Sequence, residues 1–158
     1  MESDPRPLIS TVSRPHPARL RLATYPDRHV IDARYGDMDG NGHLNNVALE
    51  TIHENTRANL NRRTFPGVYD RTTRTLRIVA ATNAVHFLNE AHWPATIEAA
   101  VGIGHVGRTS FVAATALFVD DVCISLCDTV LVLLGEDGPA PIPDDARSTL
   151  TSLHLRAD

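Results

Sequence analysis

The chain contains no lysine, and all 15 of its basic residues are arginine. Chemistry that runs through a lysine Schiff base is therefore excluded, as is a phosphate loop of the Walker type. Cysteine is scarce, with only Cys123 and Cys127. Four residues apart on a strand they would stand about 13 Å apart, too far for a disulfide. Buried thiols in a reducing cytoplasm are expected instead. No window approaches the ~18–20 apolar residues of a membrane span, and the Pro- and Arg-rich start lacks the apolar core of a secretory signal. Positive charge is not in excess either: 15 basic against 19 acidic residues give a net charge of −4. Neither a nucleic acid nor a membrane surface is expected as a partner. What remains is 158 residues of ordinary globular composition, 42% hydrophobic and 22% charged. That suits one domain with its own core.

Residues 1–27 hold five of the ten prolines and read as an extended, partly disordered lead-in. A short strand is expected from His29 to Tyr35, and then a Gly/Asp/Asn-rich loop from Gly36 to Gly42. One clear helix follows: Asn45 or Asn46 offers an N-cap, and Leu49, Ile52, Thr56 and Leu60 recur at spacings of three and four. Glu54 and Arg57 can pair on it, and Pro66-Gly67 ends it. Beyond it the spacing predicts long strands over 74–88, with a kink near Ala80–Asn83, and over 95–105, 109–119 and 122–134. Short turns at Val106–Arg108 and Asp120-Asp121 make this an antiparallel meander. The proline-rich tail from Gly135 is assigned no fold. Such an order suits an α+β fold in which a bent sheet wraps one helix. Strands apolar on both faces, such as 109–119, call for further cover, so at least a dimer is expected.

The segment Tyr35-Gly36-Asp37-Met38-Asp39-Gly40-Asn41-Gly42-His43-Leu44-Asn45-Asn46 concentrates the chemistry. Two carboxylates, an amide and an imidazole stand just ahead of a helix N-terminus, whose free N–H groups can stabilise an oxyanion. Asp37, Asp39, Asn41, Gly42 and Leu44 also fit calcium-loop positions 1, 3, 5, 6 and 8. Position 12 is Ala48 where a bidentate Glu is needed, and the preceding segment is no helix. His86, His92 and His105 lie on different elements without ligand spacing, so no metal is expected. Cys123 and Cys127 lie near Asp120, Asp121 and Asp128, a poor setting for a thiolate. No nucleophile elbow surrounds Ser110. His53, between Glu50 and Glu54, reads as a solvated or interface residue.

The pattern Asp37-x-Asp39-x-Asn41-Gly42-His43-x-Asn45-Asn46, with Glu54-x-x-Arg57 in the helix, resembles hot-dog-fold acyl thioesterases. It is similar to the 4-hydroxybenzoyl-CoA thioesterase-like branch, and Asp39-x-Asn41-x-His43 is also similar to plant acyl-ACP thioesterases. Gly107-Arg108-Thr109-Ser110-Phe111 looks like that family's turn between two long strands, so the likeness spans about residues 28–134. It implies a hot-dog fold, a curved antiparallel sheet wrapped around one central helix, assembled as a homodimer or a dimer of dimers. It also implies hydrolysis of an acyl-CoA or acyl-carrier-protein thioester without a cofactor, as in fatty acid metabolism. Asp39 matches the catalytic carboxylate, nucleophile or general base. Asn41 and His43 match residues that orient the attack and polarise the substrate, and the Asn46 backbone N–H matches the oxyanion donor. Asp37 matches a structural acid, with Glu54 and Arg57 fixing the helix; Arg108 and Ser110 would face coenzyme A phosphates. Leu49 stands where members often carry an aromatic residue. Asn83, His86, Asn89 and Glu90 are candidates for what a second subunit lends the site. Two alternatives stay open: a non-catalytic acyl-CoA-binding protein, and an acyl-thioester hydratase or dehydratase.

Overall fold

Backbone hydrogen bonding, more than hydrophobic alternation, sets where the first elements begin and end. In the computed structural model, which describes residues 14–156, strand β1 runs Asp27–Asp32 with alternating burial. It sits earlier than the expected His29–Tyr35. The Arg34 backbone N–H donates to the Asp37 carboxylate at 2.8 Å and opens a single 3-10 turn, Tyr35–Asp37, which takes Tyr35 out of the strand. Helix α1 runs Asn46–Thr64, and Asn45 is its cap: Asn45 Oδ1 accepts the Val47 N–H at 2.7 Å. Leu49, Thr56 and Leu60 are buried and Ile52 half-buried, on the expected face. Arg62 and Arg63 occupy the last turn, where the helix end is negative. The chain then turns through Gly67 at φ +81°, a left-handed value that suits glycine.

Four long strands follow: β2 Arg77–Phe87, β3 Thr96–Val106, β4 Ser110–Val119 and β5 Val122–Gly135. A register shift between Ala80 and Thr82 supplies the expected kink in β2. Asp120 and Asp121 both take positive φ, 49° and 63°, the pairing that a two-residue hairpin needs. A two-residue strand, β6 (Gly138–Pro139), pairs with β5. The curled sheet has the order β1-β3-β4-β5-β2, every pair antiparallel. The expected meander therefore holds for β3-β4-β5 only. β2 pairs with β5 rather than β3, because residues 88–95 form no hairpin turn but carry the chain from edge strand β2 across the sheet to β3, which lies inside the other edge strand, β1. This crossing positions the site described below.

One sheet face packs Ile97, Ala99, Val101, Ile103, Phe111, Ala113 and Leu117 toward α1. The opposite face carries Ala100, Ala116 and Phe118 against Tyr25, with Leu22 and Leu155 beside them. The chain thus covers part of its own outer face, which removes one reason for expecting a second copy. The lead-in is correspondingly ordered over the described part: Pro17–Leu20 and Leu22–Thr24 form 3-10 turns with Ala18, Thr24 and Tyr25 buried. Residues 1–13, within the segment read as partly disordered, lie outside the described residues. The tail, assigned no fold, contains helix α2 (Asp144–Ser152). Its Ala146 and Leu150 join Ile142 in the core. Gly102 permits the C-terminal segment to lie over β3: a Cβ there would stand 2.6 Å from Leu155 Cδ2. Among the described residues, no helix is long and apolar enough to cross a membrane.

Candidate active site

The loop ahead of α1 is built from its own polar groups. Asp39 N–H donates to His43 O at 2.9 Å and Gly42 N–H to Asp39 O at 3.1 Å, while Met38 and Leu44 form a β-bridge. Gly42 turns the chain at φ +79°. Inside this turn Asp39 Oδ1 accepts the N–H of Asn41 at 2.9 Å and of His43 at 3.4 Å. Asp39 is half-buried, and its second oxygen has no hydrogen bond among the described residues. One carboxylate oxygen fixes the loop and the other remains available.

The same loop is tied to the helix start, because Asn45 N–H donates to Asp37 O at 2.7 Å. The first intrahelical bond runs from Leu49 N–H to Asn45 O. The exposed Asn46 at the first helical position therefore keeps an N–H with no intrahelical acceptor, at the positive end of the helix dipole. Asn41 is exposed and meets Asp39 through its backbone N–H. Asp37 faces away from this arrangement: it is buried and accepts from the Arg34 backbone N–H, Nε and Nη2. Burial would raise its pKa, but the Arg34 hydrogen bonds outweigh that and hold it below the usual carboxylate value. Asp37, the first of the calcium-loop positions, is thus already engaged by the Arg34 guanidinium.

The β2–β3 crossing completes the surroundings. Leu44 N–H donates to Ala91 O at 2.7 Å, and His92 Nδ1 lies 2.9 Å from Gly42 O. His43 Nε2 lies 3.2 Å from Glu90 Oε2, and its ring meets that of His92 edge to face. Glu90, expected from a second subunit, thus meets His43 within one chain. A cavity of about 600 Å³ adjoins this cluster, lined by Asn89, Glu90, His92, Thr96, Asp120 and Ile124 among others.

Several residues are not brought together. Glu54 is exposed whereas Arg57 is buried, with no ion pair between them, because Arg57 turns inward to the sheet. Arg108 and Ser110 sit at the β3–β4 turn, where Arg147 Nη2 donates to Gly107 O at 2.9 Å. Asp39 lies near the other end of those strands, roughly 30 Å away along ten residues of strand. Within one chain they do not share a site. Asn83 Oδ1 accepts from Thr129 and Cys127, and Asn89 Nδ2 donates to Cys123 O, so both serve the sheet. His86 contributes its carbonyl to Ser125. Both cysteines are free and buried, and burial pushes the Cys123 thiol up to about 11 and raises Cys127 as well.

His53 is the main correction. Far from being solvated it is fully buried, with Nδ1 2.7 Å from Thr115 Oγ1 and Nε2 2.9 Å from Ser125 Oγ. The signal was present in the sequence: His53 stands four residues after Leu49, three before Thr56 and seven before Leu60, on the apolar face. The neighbouring glutamates, Glu50 and Glu54, obscured it.

Comparison with known proteins follows the same lines. Residues 33–150 match the thioesterase-like superfamily. No protein of curated function matches. Among solved structures, a predicted thioesterase from Bacillus stearothermophilus aligns at 25% identity and TM-score 0.74, over 83% of this chain and 98% of that one. A thioesterase from Thermus thermophilus, solved with coenzyme A and Zn, aligns at 25% identity and TM-score 0.71 over 80% and 98%. A 1,4-dihydroxy-2-naphthoyl-CoA thioesterase from Synechocystis aligns at 12% identity and TM-score 0.71, over 80% and 96%, and shows the fold alone. The architecture is the hot-dog fold, and these matches support thioester hydrolysis in general. With the matched segment spanning most of its length, the chain belongs to the thioesterase-like superfamily.

Proposed function

We propose that this chain hydrolyses an acyl thioester carried on coenzyme A or an acyl carrier protein, with Asp39 as the reacting carboxylate. The observation that carries the reading is the asymmetry at Asp39: Oδ1 is fixed by two loop amides while the second oxygen is free. That oxygen takes a proton from water, and the water oxygen attacks the thioester carbonyl carbon. The alternative route is direct attack by the same oxygen, followed by hydrolysis of the resulting mixed anhydride. Either way the carbonyl oxygen gains negative charge, which the Asn46 N–H at the helix start receives. Collapse expels the thiolate, which is protonated, and leaves a carboxylate.

His43 and Asn41 shape the loop around the attacking group, His43 with its ring toward Glu90. The coenzyme A complex of the Thermus thermophilus relative supports coenzyme A as the thiol carrier. A second copy remains part of the reading. β2 is a sheet edge with mostly exposed side chains, and a partner joined there is the route by which Arg108 and Ser110 could approach a long substrate.

A panel of aromatic and aliphatic acyl-CoA and acyl-carrier-protein thioesters, read by free-thiol release, tests the proposal. Saturable thiol release from at least one is expected. Tight binding without release would replace it with a carrier role, and hydration of an enoyl thioester without thiol release with hydratase chemistry.

A further inference from the structure

We infer that His43, Glu90 and His92 form a binding site for one zinc-class divalent cation. These three residues come from two segments that the fold, not the sequence spacing, brings together: the loop before α1 and the β2–β3 crossing. One ligand atom from each lies within 4.8 Å of the other two. Ligands around a tetrahedral zinc ion, at ~2.0–2.2 Å from the metal, stand roughly 3.3 Å apart. The 3.2 Å separation of His43 Nε2 and Glu90 Oε2 already meets that value. The remaining closure needs only side-chain rotation of half-buried His43 and exposed Glu90 toward His92, which Gly42 O holds through Nδ1.

The donor set selects the ion. Two imidazoles and one carboxylate suit zinc and neighbouring transition ions, whereas calcium and magnesium prefer oxygen. Three protein ligands leave a fourth position open, and the cluster lies on the rim of the 600 Å³ cavity. The scaffold is fixed before any ion arrives, because Leu44 N–H to Ala91 O and His92 Nδ1 to Gly42 O join the two segments. A backbone carbonyl on one ring nitrogen is the second partner that orients a ligating histidine. Without a cation, two imidazole rings stand edge to face with centroids 5.1 Å apart, and one of them, His43, meets the Glu90 carboxylate.

This site does not depend on the hydrolase reading, although it takes up His43. The chelator-treated full chain is titrated with Zn²⁺ by calorimetry, and with Co²⁺ by visible absorption, which reports nitrogen and oxygen ligands directly. One equivalent is expected to bind with saturation. His92→Ala and Glu90→Gln, both at exposed positions, should each weaken it tenfold or more. His105→Ala should leave it unchanged. Absence of saturable binding, or equal affinity in His92→Ala/Glu90→Gln, would overturn the site and leave a His43–Glu90 contact only. Thiol release by the metal-free chain, measured separately, keeps failure of this site distinct from failure of the hydrolase.

Discussion

Helix α1 has a polar cluster ahead of its first turn and another along its buried face, and each contains a histidine. His43 is part-exposed, meets Glu90 and His92, and borders water. His53 is sealed between helix and sheet. Ser125 donates its own proton to His86 O at 2.8 Å, so it accepts from His53 Nε2–H. His53 Nδ1 then accepts from Thr115, whose other acceptor, Cys127 O, is more distant at 3.3 Å. Every site on that ring is occupied, and burial, reinforced by the charges of Arg57 and Arg19, lowers its pKa to about 3. The two clusters differ less in residue type than in spare capacity. The loop keeps an oxygen of Asp39 and an N–H of Asn46 uncommitted, and the ring of His53 keeps nothing.

The sharpest way to break this contrast is Asp39→Asn. Asparagine still offers an oxygen to the Asn41 and His43 amides but cannot serve as base or nucleophile. Thiol release should fall ~10²-fold or more, while the urea midpoint stays close to wild type. A large loss of stability with turnover intact would make Asp39 a loop-former and nothing else.

His53→Ala should act the opposite way. It opens a cavity and strands two hydroxyls, costing about 2–4 kcal/mol by urea unfolding. The pH dependence has a definite sign. The unfolded ring takes up a proton near pH 6.5 and the folded ring only near 3, so the unfolded state binds more protons between them. This contribution is complete above about pH 6.5 and is lost as pH falls toward 3. His53→Leu should flatten that limb, and an unchanged acid slope would show that His53 is not buried neutral.

Asp37→Asn is expected to cost about 1–2 kcal/mol, because it weakens the charged hydrogen bonds to Arg34, whose side chain is 79% exposed. Asp37 has its pKa lowered, so its contribution is present above the usual carboxylate value and lost as pH falls below it. This window opens only near 3.8, whereas the His53 limb begins near 6.5, so differential scanning calorimetry of the two variants from pH 7 to 2 separates them by where each departs from wild type.

The same contrast explains what was legible in the sequence. The helix, its Asn45 cap, the turns and the β2 kink follow from local rules, and the loop from its glycines and Asx residues. Pairing of β2 with β5 is non-local, and with it the meeting of His43, Glu90 and His92; no spacing within one element encodes it. α2 was hidden because Pro139, Pro141 and Pro143 precede it, although Ile142, Ala146 and Leu150 recur every four residues. The Glu54–Arg57 pairing failed because an i,i+3 rule knows the helix surface but not which side meets a sheet. Here Arg57 lies on the face shared with His53 and Asn61.

That arginine gives the smallest predicted effect. Its Nη1 is buried without a hydrogen-bond partner among the described residues. A buried charge so incompletely paired carries its desolvation cost with little return, so an apolar side chain of similar length should fit as well. Arg57→Met is expected to change stability by no more than about 1 kcal/mol, in either direction. It also removes the second cause, after burial, of the low His53 pKa. The His53 imidazole resonance should then titrate at higher pH, still below 6.5 because burial remains, with thiol release unaltered. A loss of several kcal/mol that grows with protein concentration would instead mean that a second copy supplies the missing acceptor, and the helix face would join the loop as a place with capacity to spare.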